Sequence, residues 1–441
     1  MNRADISDVK FFTWIIVCII MTFGFMNNRI LYADGLATID YNYINDLIGD
    51  RATGMGGAYT AISDDPSGAY YNPAGLVFAF DNQISLSVNS YKERNIKFEK
   101  AVADKPYTQD ISSFYPSFFG IVQSLGSFKL AVTIINMNNE ILDQDDYFPG
   151  ISIQGFPAMS NINYNLNDNT LLGGISLAHF INDSISVGVT AYGLRRRTEQ
   201  ILNQLTTVDA TDSSGNPITY YQILNNYITE VIYGSVFEFG MQYMPMDRLC
   251  FGSSVTMGVI FSHDYEQQYF KKDINADSYY GYPYIYMTWY DDKIDVDLND
   301  DKLPMVIRVG TAYFPTKRIT ISADIIAHIG NKYYHNSVND TYNGAVGVEY
   351  FVTNYLPVRL GFFTNFANTP KIKNNITGQP MHVDMYGYSM SLGWQTKSSS
   401  ISLSGFLQTG TGKAQIISES YEVQDAKIWA YSISLTGSAR Y

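Results

Sequence analysis

The sequence predicts an all-β protein: a 14-stranded antiparallel transmembrane β-barrel with a small N-terminal plug, or hatch, in its lumen. Three observations carry that expectation. Apolar residues recur at every second position over most of the chain. Short connections alternate with long polar ones. One compact Gly- and Ala-rich stretch precedes the first alternating segment.

The final segment, 426–441, shows the alternation plainly. Lys427, Trp429, Tyr431, Ile433, Leu435 and Tyr441 share one parity, and Ala430, Ser432, Ser434, Thr436 and Ser438 the other. In a strand these two sets lie on opposite faces. Segment 384–396 sets Tyr386, Tyr388, Met390, Leu392 and Trp394 against Gly387, Ser389, Ser391, Gly393 and Gln395. Segment 317–330 does the same with Ile319, Ile321, Ile325 and Ile329 against Thr320, Ser322, Asp324 and His328. An apolar outer face with aromatic belts and a small, polar inner face fits a barrel in lipid, where open sheet edges are forbidden.

Fourteen such segments are expected: 83–90, 116–122, 127–136, 170–180, 184–197, 227–244, 248–264, 303–314, 317–330, 341–353, 356–366, 384–396, 398–409 and 426–441. Short connections fall at 123–126, 181–183, 245–247, 315–316, 354–355 and 397. Long polar ones fall at 91–115, 137–169, 198–226, 265–302, 331–340, 367–383 and 410–425. Short periplasmic turns alternating with long outer loops is barrel topology, and an even strand number returns the C-terminus to the periplasm.

Composition agrees. Aromatic residues make up 15% and charged residues 16% of the 441 positions, with a mean hydropathy of −0.10. A soluble enzyme ordinarily carries about 25% charged residues, and a helical membrane protein several apolar runs of about 20. The one strongly apolar run, 11–26, follows Arg3 and Lys10 and is short for a span. It precedes Leu31-Tyr32-Ala33, which resembles a small-residue cleavage site, so residues 1–33 read as a secretory signal peptide. A single membrane anchor is the alternative reading. Of two Cys, Cys18 falls in that segment, leaving the exported chain one thiol, Cys250, and no internal disulfide. A net charge of −13 argues against a nucleic-acid partner.

Residues 34–82 are not strand-like and are assigned to the plug. They hold Gly54, Gly56 and Gly57, which permit close backbone approach or positive φ. Ala58–Ile62 suits a short helix or packed turn, Asp64, Asp65 and Ser67 are cap or turn formers, and Asn72-Pro73 starts a further turn. Residues 83–441 are assigned to the barrel. The run from Arg51 to Leu76, above all Gly54-Met55-Gly56-Gly57-Ala58, Asp64-Asp65 and Asn72-Pro73-Ala74-Gly75, closely resembles the N-terminal hatch of the FadL/TodX family of outer-membrane transport proteins. The variant looks most like FadL-like proteins of spirochaetes, and it is also similar to the PorV-like branch linked to type IX secretion.

That resemblance implies a lumenal hatch and passive uptake of hydrophobic small molecules, long-chain fatty acids or other lipids, by a monomer in the outer membrane of a diderm bacterium. It also implies sideways release through a kink in the third strand, although 127–136 carries no Gly or Pro past its start to mark one. A PorV-like secretion component and a structural or adhesive surface barrel are the rival readings. The hatch residues Gly54, Gly56, Gly57, Asn72, Pro73, Ala74 and Gly75 would then act as conformational residues.

Parity places Lys129, Glu230, Glu238, Arg308, Asp324, Glu349 and Arg359 toward the lumen, with Ile228, Ile232, Ile326, Phe314, Phe351 and Phe363. Arg308 and Asp324 are expected opposite each other across the Pro315-Thr316-Lys317 turn. They read as a lumenal ion pair, or else Arg308 or Arg359 binds a substrate carboxylate. The apolar set suits either a hydrophobic pocket or packing against the hatch. Asp295, Asp297 and Asn299 resemble the start of a calcium loop but lack its Gly and Glu, so a solvated outer loop is expected. No nucleophile motif and no metal-ligand spacing among the five His is found, so neither catalytic residues nor cofactors are assigned. The terminal Tyr441 on an amphipathic strand resembles the signal read by the barrel-assembly machinery.

Overall fold

The computed structural model describes residues 42–153, 155–211, 217–275, 284–295, 303–330, 332–333, 336–376, 379–415 and 422–440. The segment expected to be a signal peptide, Tyr441 and the greater part of the calcium-like loop lie outside these residues. No described helix is long and apolar enough to cross a membrane; the chain crosses with strands.

Seventeen strands follow a short plug: β1 Gln83–Val102, β2 Lys105–Leu125, β3 Phe128–Ile153, β4 Phe156–Asn182, β5 Ile185–Thr211, β6 Pro217–Met246, β7 Leu249–Asn275, β8 Tyr284–Asp295, β9 Met305–Thr316, β10 Ile319–Ile329, β11 Lys332–Tyr333, β12 Asn336–Ser337, β13 Thr341–Thr353, β14 Leu356–Asn365, β15 His382–Gln395, β16 Ser399–Ala414 and β17 Gln424–Arg440. Fourteen of them form a closed antiparallel ring, with β1 against β17 and β6 against β7. Strand β8 only extends the outer half of β7, and β11 with β12 is a separate small hairpin.

The alternation holds in three dimensions. On β15, Tyr388, Met390 and Trp394 point outward, 57%, 58% and 55% exposed, while Ser391 between them is 1% exposed. On β10, Ile321 and Ile325 face out, and Ser322, Asp324, Ile326 and His328 face in. The outward apolar band is what lipid requires of a closed sheet.

Two expectations need correction. The connections 91–115, 137–169 and 198–226 are largely strand, as are long stretches of 265–302, so β1–β7 run 20 to 30 residues. The ladders continue because antiparallel pairing needs only backbone groups, but the chemistry of the two faces inverts. Along β4, Ile162 and Asp168 face in, whereas Asn161 and Asn167 face out. Beyond the lipid the polar face meets water, and the inside becomes the apolar side. Second, Arg308 pairs with Ile326, and Asp324 with Gly310. The turn sits at Lys317-Arg318, one residue later than expected, and in a hairpin that moves each partner by two.

The plug comprises helix α1 Asp50–Gly54, helix α2 Gly68–Tyr71 and a 3₁₀ turn Pro73–Phe78. Residues 60–62 form a packed turn rather than a helix. The plug backbone touches the wall where the wall has glycine: a Cβ on Gly361 would strike the Gly56 nitrogen, and one on Gly240 the Asn72 side chain. Wall hydroxyls meet plug carbonyls that water cannot reach. Ser186 Oγ donates to Ala74 O at 3.0 Å, Thr190 Oγ1 to Ala69 O at 2.9 Å and Ser254 Oγ to Tyr71 O at 2.8 Å. Apolar contacts finish the seat, with Ile48, Met55, Tyr59 and Ile62 packed on Phe118, Ile135, Leu172 and Ile232.

Replacing Gly361 by Leu drives a side chain into the plug backbone, an overpacking penalty of about 1–3 kcal/mol. The barrel should still assemble, but trypsin should cut at Arg51 much faster than in the parent, and equal cutting rates would refute this seating.

Candidate functional site

The Asn72-Pro73-Ala74-Gly75 turn of the plug is built on one side chain. Asn72 is fully buried; its Nδ2 donates to Thr60 O at 2.8 Å and to Met241 O of β6 at 3.1 Å. Its Oδ1 accepts from Ala74 N at 3.1 Å, capping the 3₁₀ turn that Pro73 begins. Gly75 leaves no room for a Cβ against Ser63 and Gln242. Gly54 packs under Ser391 and Arg359, and Gly56 and Gly57 have φ of +67° and +81°. All seven positions singled out in the N-terminal segment thus sit at close contacts within that segment or with the barrel wall.

Charge ties the plug to the wall on the opposite side. Arg51 Nη1 reaches Asp64 at 2.6 Å, and its Nε and Nη2 fork onto Glu349 of β13 at 3.1 and 2.6 Å. Arg359 of β14 donates to Glu349 at 2.7 Å and to Asp50 at 3.3 Å. The forked pair is the strong geometry for a guanidinium and a carboxylate. Burial works against the Arg51 charge, yet Asp64 and Glu349 hold its pKa well above the usual value. Burial also pushes the Asp65 carboxyl up to about 6, with Asp50 adding to it and the Ser67 hydrogen bond opposing. Asp324 Oδ2 accepts the Tyr59 and Thr60 amides at 2.9 and 2.8 Å. Arg308 lies 3.7 Å from Glu238 and 5.4 Å from the Tyr70 ring. Both arginines thus face protein acids beside the plug.

Before α1 the chain spans the lumen. Asn42 Nδ2 donates to the carbonyls of Asn365 and Val383 at 2.8 and 2.9 Å, and Asp46 accepts from Tyr115 of β2 at 3.0 Å.

Toward the long-hairpin end, beyond the plug, lies a cavity of about 630 Å³. Ile96, Phe98, Ile111, Ile151, Ile162, Leu166, Leu202, Leu224 and Met381 line it, with Arg94, Glu140 and Lys271 as its charged members. Most of these residues come from stretches expected to be long outer loops. The period of two in Asn161-Ile162-Asn163-Tyr164-Asn165-Leu166 was the available signal. The lumenal apolar residues that parity did identify lie elsewhere: Ile232 and Phe314 pack in the plug's cluster, Phe363 in a second one with Leu47 and Ala58. Phe351 lines a smaller cavity of about 240 Å³ with Asp50, Arg51, Glu349 and Arg359.

One side of the large cavity is a break in the wall. Strands β2 and β3 pair from Leu125–Phe128 to Phe118–Ile135, and no pairing between them continues beyond that among the described residues. Pro116 of β2 lacks an amide donor, and β3 is bulged at Met137, between Asn136 and Asn138. This irregularity of the third strand needs neither Gly nor Pro on β3, which is why the sequence did not mark it.

Truncating Glu349 to Ala leaves two buried guanidinium groups short of a partner, a loss of about 3 kcal/mol or more. Planar-bilayer recordings should then show frequent plug-release openings that the parent lacks; identical traces would mean the network does not hold the plug.

No family model matches the sequence, and no curated protein matches it. Solved structures do. A FadL homologue from Pseudomonas aeruginosa is similar at 15% identity over 88% of this chain and 97% of its own, with a TM-score of 0.56. The P. putida toluene transporter TodX is similar at 15% identity over 90% and 99%, TM-score 0.57. The Ralstonia pickettii toluene transporter TbuX is similar at 12% identity over 89% and 98%, TM-score 0.55. The chain shares, end to end over its described barrel, the fold of the FadL/TodX channels.

Proposed function

We propose that the protein is an outer-membrane channel for passive uptake of hydrophobic small molecules, long-chain fatty acids or other lipids, gated by the N-terminal plug. The observation that carries this reading is the aliphatic cavity above a seated plug. A water-filled pore has no use for Ile162, Leu166, Leu202 and Leu224 on its inner face, whereas an apolar ligand does. The solved structures with this fold include transporters of toluene and a channel for monoaromatic hydrocarbons, which supports the same substrate class.

The steps follow from the geometry. A ligand enters the cavity from the long-hairpin end and loses its contact with water there, each buried methylene contributing about 0.8 kcal/mol. Arg94, Glu140 and Lys271 are the charged groups on the cavity wall. Two exits lie next to it: past the plug, once the Arg51–Glu349–Arg359 ties rearrange, or sideways where β2 and β3 part. Arg308, Asp324 and Arg359 act here as anchors of the plug and not as a carboxylate site.

The test is extraction of ligand from protein purified in a short-chain detergent, followed by mass spectrometry. Retained fatty acid or other lipid is expected, and Leu202→Asp should lower its amount at least tenfold while leaving the barrel folded. Protein that is always empty and forms open pores in planar bilayers would sink the proposal.

A further inference from the structure

One strand carries a pattern that the lumen does not explain. Every second residue in one stretch of β4 is Asn: Asn161, Asn163, Asn165, Asn167 and Asn169. They share the outward parity, since Ile162, Asp168 and Thr170 are buried on the inner side. The strand is paired on both margins here, with β3 and with β5. Asn is a poor strand former, and Thr or Lys meets plain water equally well at an outward position. A central strand that repeats Asn in this way breaks a local rule without a gain in folding, which points to a functional face.

Pairing extends the row sideways. Asn163 lies opposite Asp145 on β3 and Asn203 on β5, and Asn203 opposite Asn225 on β6. Asn163 Nδ2 donates to Asp145 Oδ1 at 2.6 Å, and Asn163 Oδ1 accepts from Asn165 and Asn203 at 3.0 and 3.3 Å. Asn225 Nδ2 donates to Asn203 Oδ1 at 2.9 Å. The amides thus form a grid, about 6–7 Å apart along the strand and about 5 Å apart across it. Each keeps an N–H to offer. Asn161 and Asn167, both exposed, make no side-chain hydrogen bond among the described residues. Opposite Asn161, Tyr147 of β3 is 61% exposed.

Height selects what meets this face. Leu171, Arg195 and Tyr233 form the row next below Asn169 on the outer surface and mark the top of the lipid-facing band, with Arg and Tyr at headgroup level. From Leu171 to Asn161 the strand runs about 33 Å, a rise of about 25 Å at a tilt of about 40°. A phospholipid headgroup layer is only about 6 Å deep. The upper amides therefore stand above phospholipid headgroups, in the sugar layer of a glycolipid leaflet. Neighbouring sugar hydroxyls match an amide that both donates and accepts, and the C–H face of a sugar ring fits against Tyr147. Asp143 and Asp145, exposed beside the row, repel a phosphate.

We propose that this outward face of β4 is a docking surface for the uncharged saccharide of outer-leaflet glycolipids. Asn161 and Asn167 hold it at the two ends, and the row of Asn163, Asn203 and Asn225 holds it between them. The inference is independent of what the lumen carries.

The test is extraction of the protein from its own outer membrane in a mild detergent, with bound lipids read by native mass spectrometry. The parent should retain glycolipid in preference to phospholipid. Asn161→Val/Asn167→Val replaces two amides that have no partner in the fold by a better strand former that cannot hydrogen-bond. Its melting temperature should equal or exceed the parent's. Its retained glycolipid should fall about tenfold, as for the loss of two hydrogen bonds, with phospholipid unchanged. Tyr147→Ala should lower glycolipid retention as well. Equal glycolipid in parent and double variant, or none in either, would overturn the proposal. Saccharide retained without acyl chains would overturn the glycolipid source in favour of a soluble polysaccharide. A parent dimer that the double variant disperses would give this face to a second copy of the chain instead.

Discussion

A closed sheet of fourteen strands encloses more space than its own side chains can fill, and much of this structure answers that constraint. The chain fills the lower lumen with a plug that carries little regular structure, so many of its peptide groups need partners from the wall. The wall supplies Ser and Thr hydroxyls where a carbonyl arrives and glycine where the backbone itself must come close. The small, polar inner face of the strands is therefore not merely the face that lipid left over. It is shaped to the plug, residue by residue, as at Gly361 against Gly56 and Ser186 against Ala74.

The charged residues obey the same logic at a larger scale. Glu349 is held by two arginines, one from the plug and one from the neighbouring strand, so its buried charge is matched from both sides of the plug–wall boundary. Further out, Asp168 takes Arg196 at 3.1 Å together with Asn138 and Thr198, and Glu230 takes His263 at 2.7 Å. These groups are satisfied within the wall. Arg94 of β1 and Glu140 of β3, 3.0 Å apart, instead join strands across a place where the wall is not continuous.

What was legible in the sequence depended on whether one face of a strand met lipid. Tyr386 to Trp394 and Ile319 to Ile329 announce themselves because lipid demands an unbroken apolar parity. The Asn-Pro-Ala-Gly turn is legible for a different reason, since each residue type has a narrow set of backbone uses. Beyond the lipid that contrast fades: Asn161, Asn163 and Asn165 look like loop, although the residues between them line the cavity. Partners across space were the least legible. Parity turns Glu349 and Arg359 inward, but nothing local points to Arg51 some 300 positions earlier. A turn displaced by one residue was enough to misplace Asp324 relative to Arg308.

The parted seam also gives an otherwise endless sheet two bare margins, one on β2 and one on β3. Such margins invite a foreign strand to add itself, from a neighbouring molecule or from an unfinished copy during assembly. Their sequences discourage it. Pro106 and Pro116 cannot donate to a newcomer, and Asp110, Asp143 and Asp145 stand exposed along the two margins. A break in a sheet must still refuse a peptide, and prolines and carboxylates along those margins serve that end in this chain.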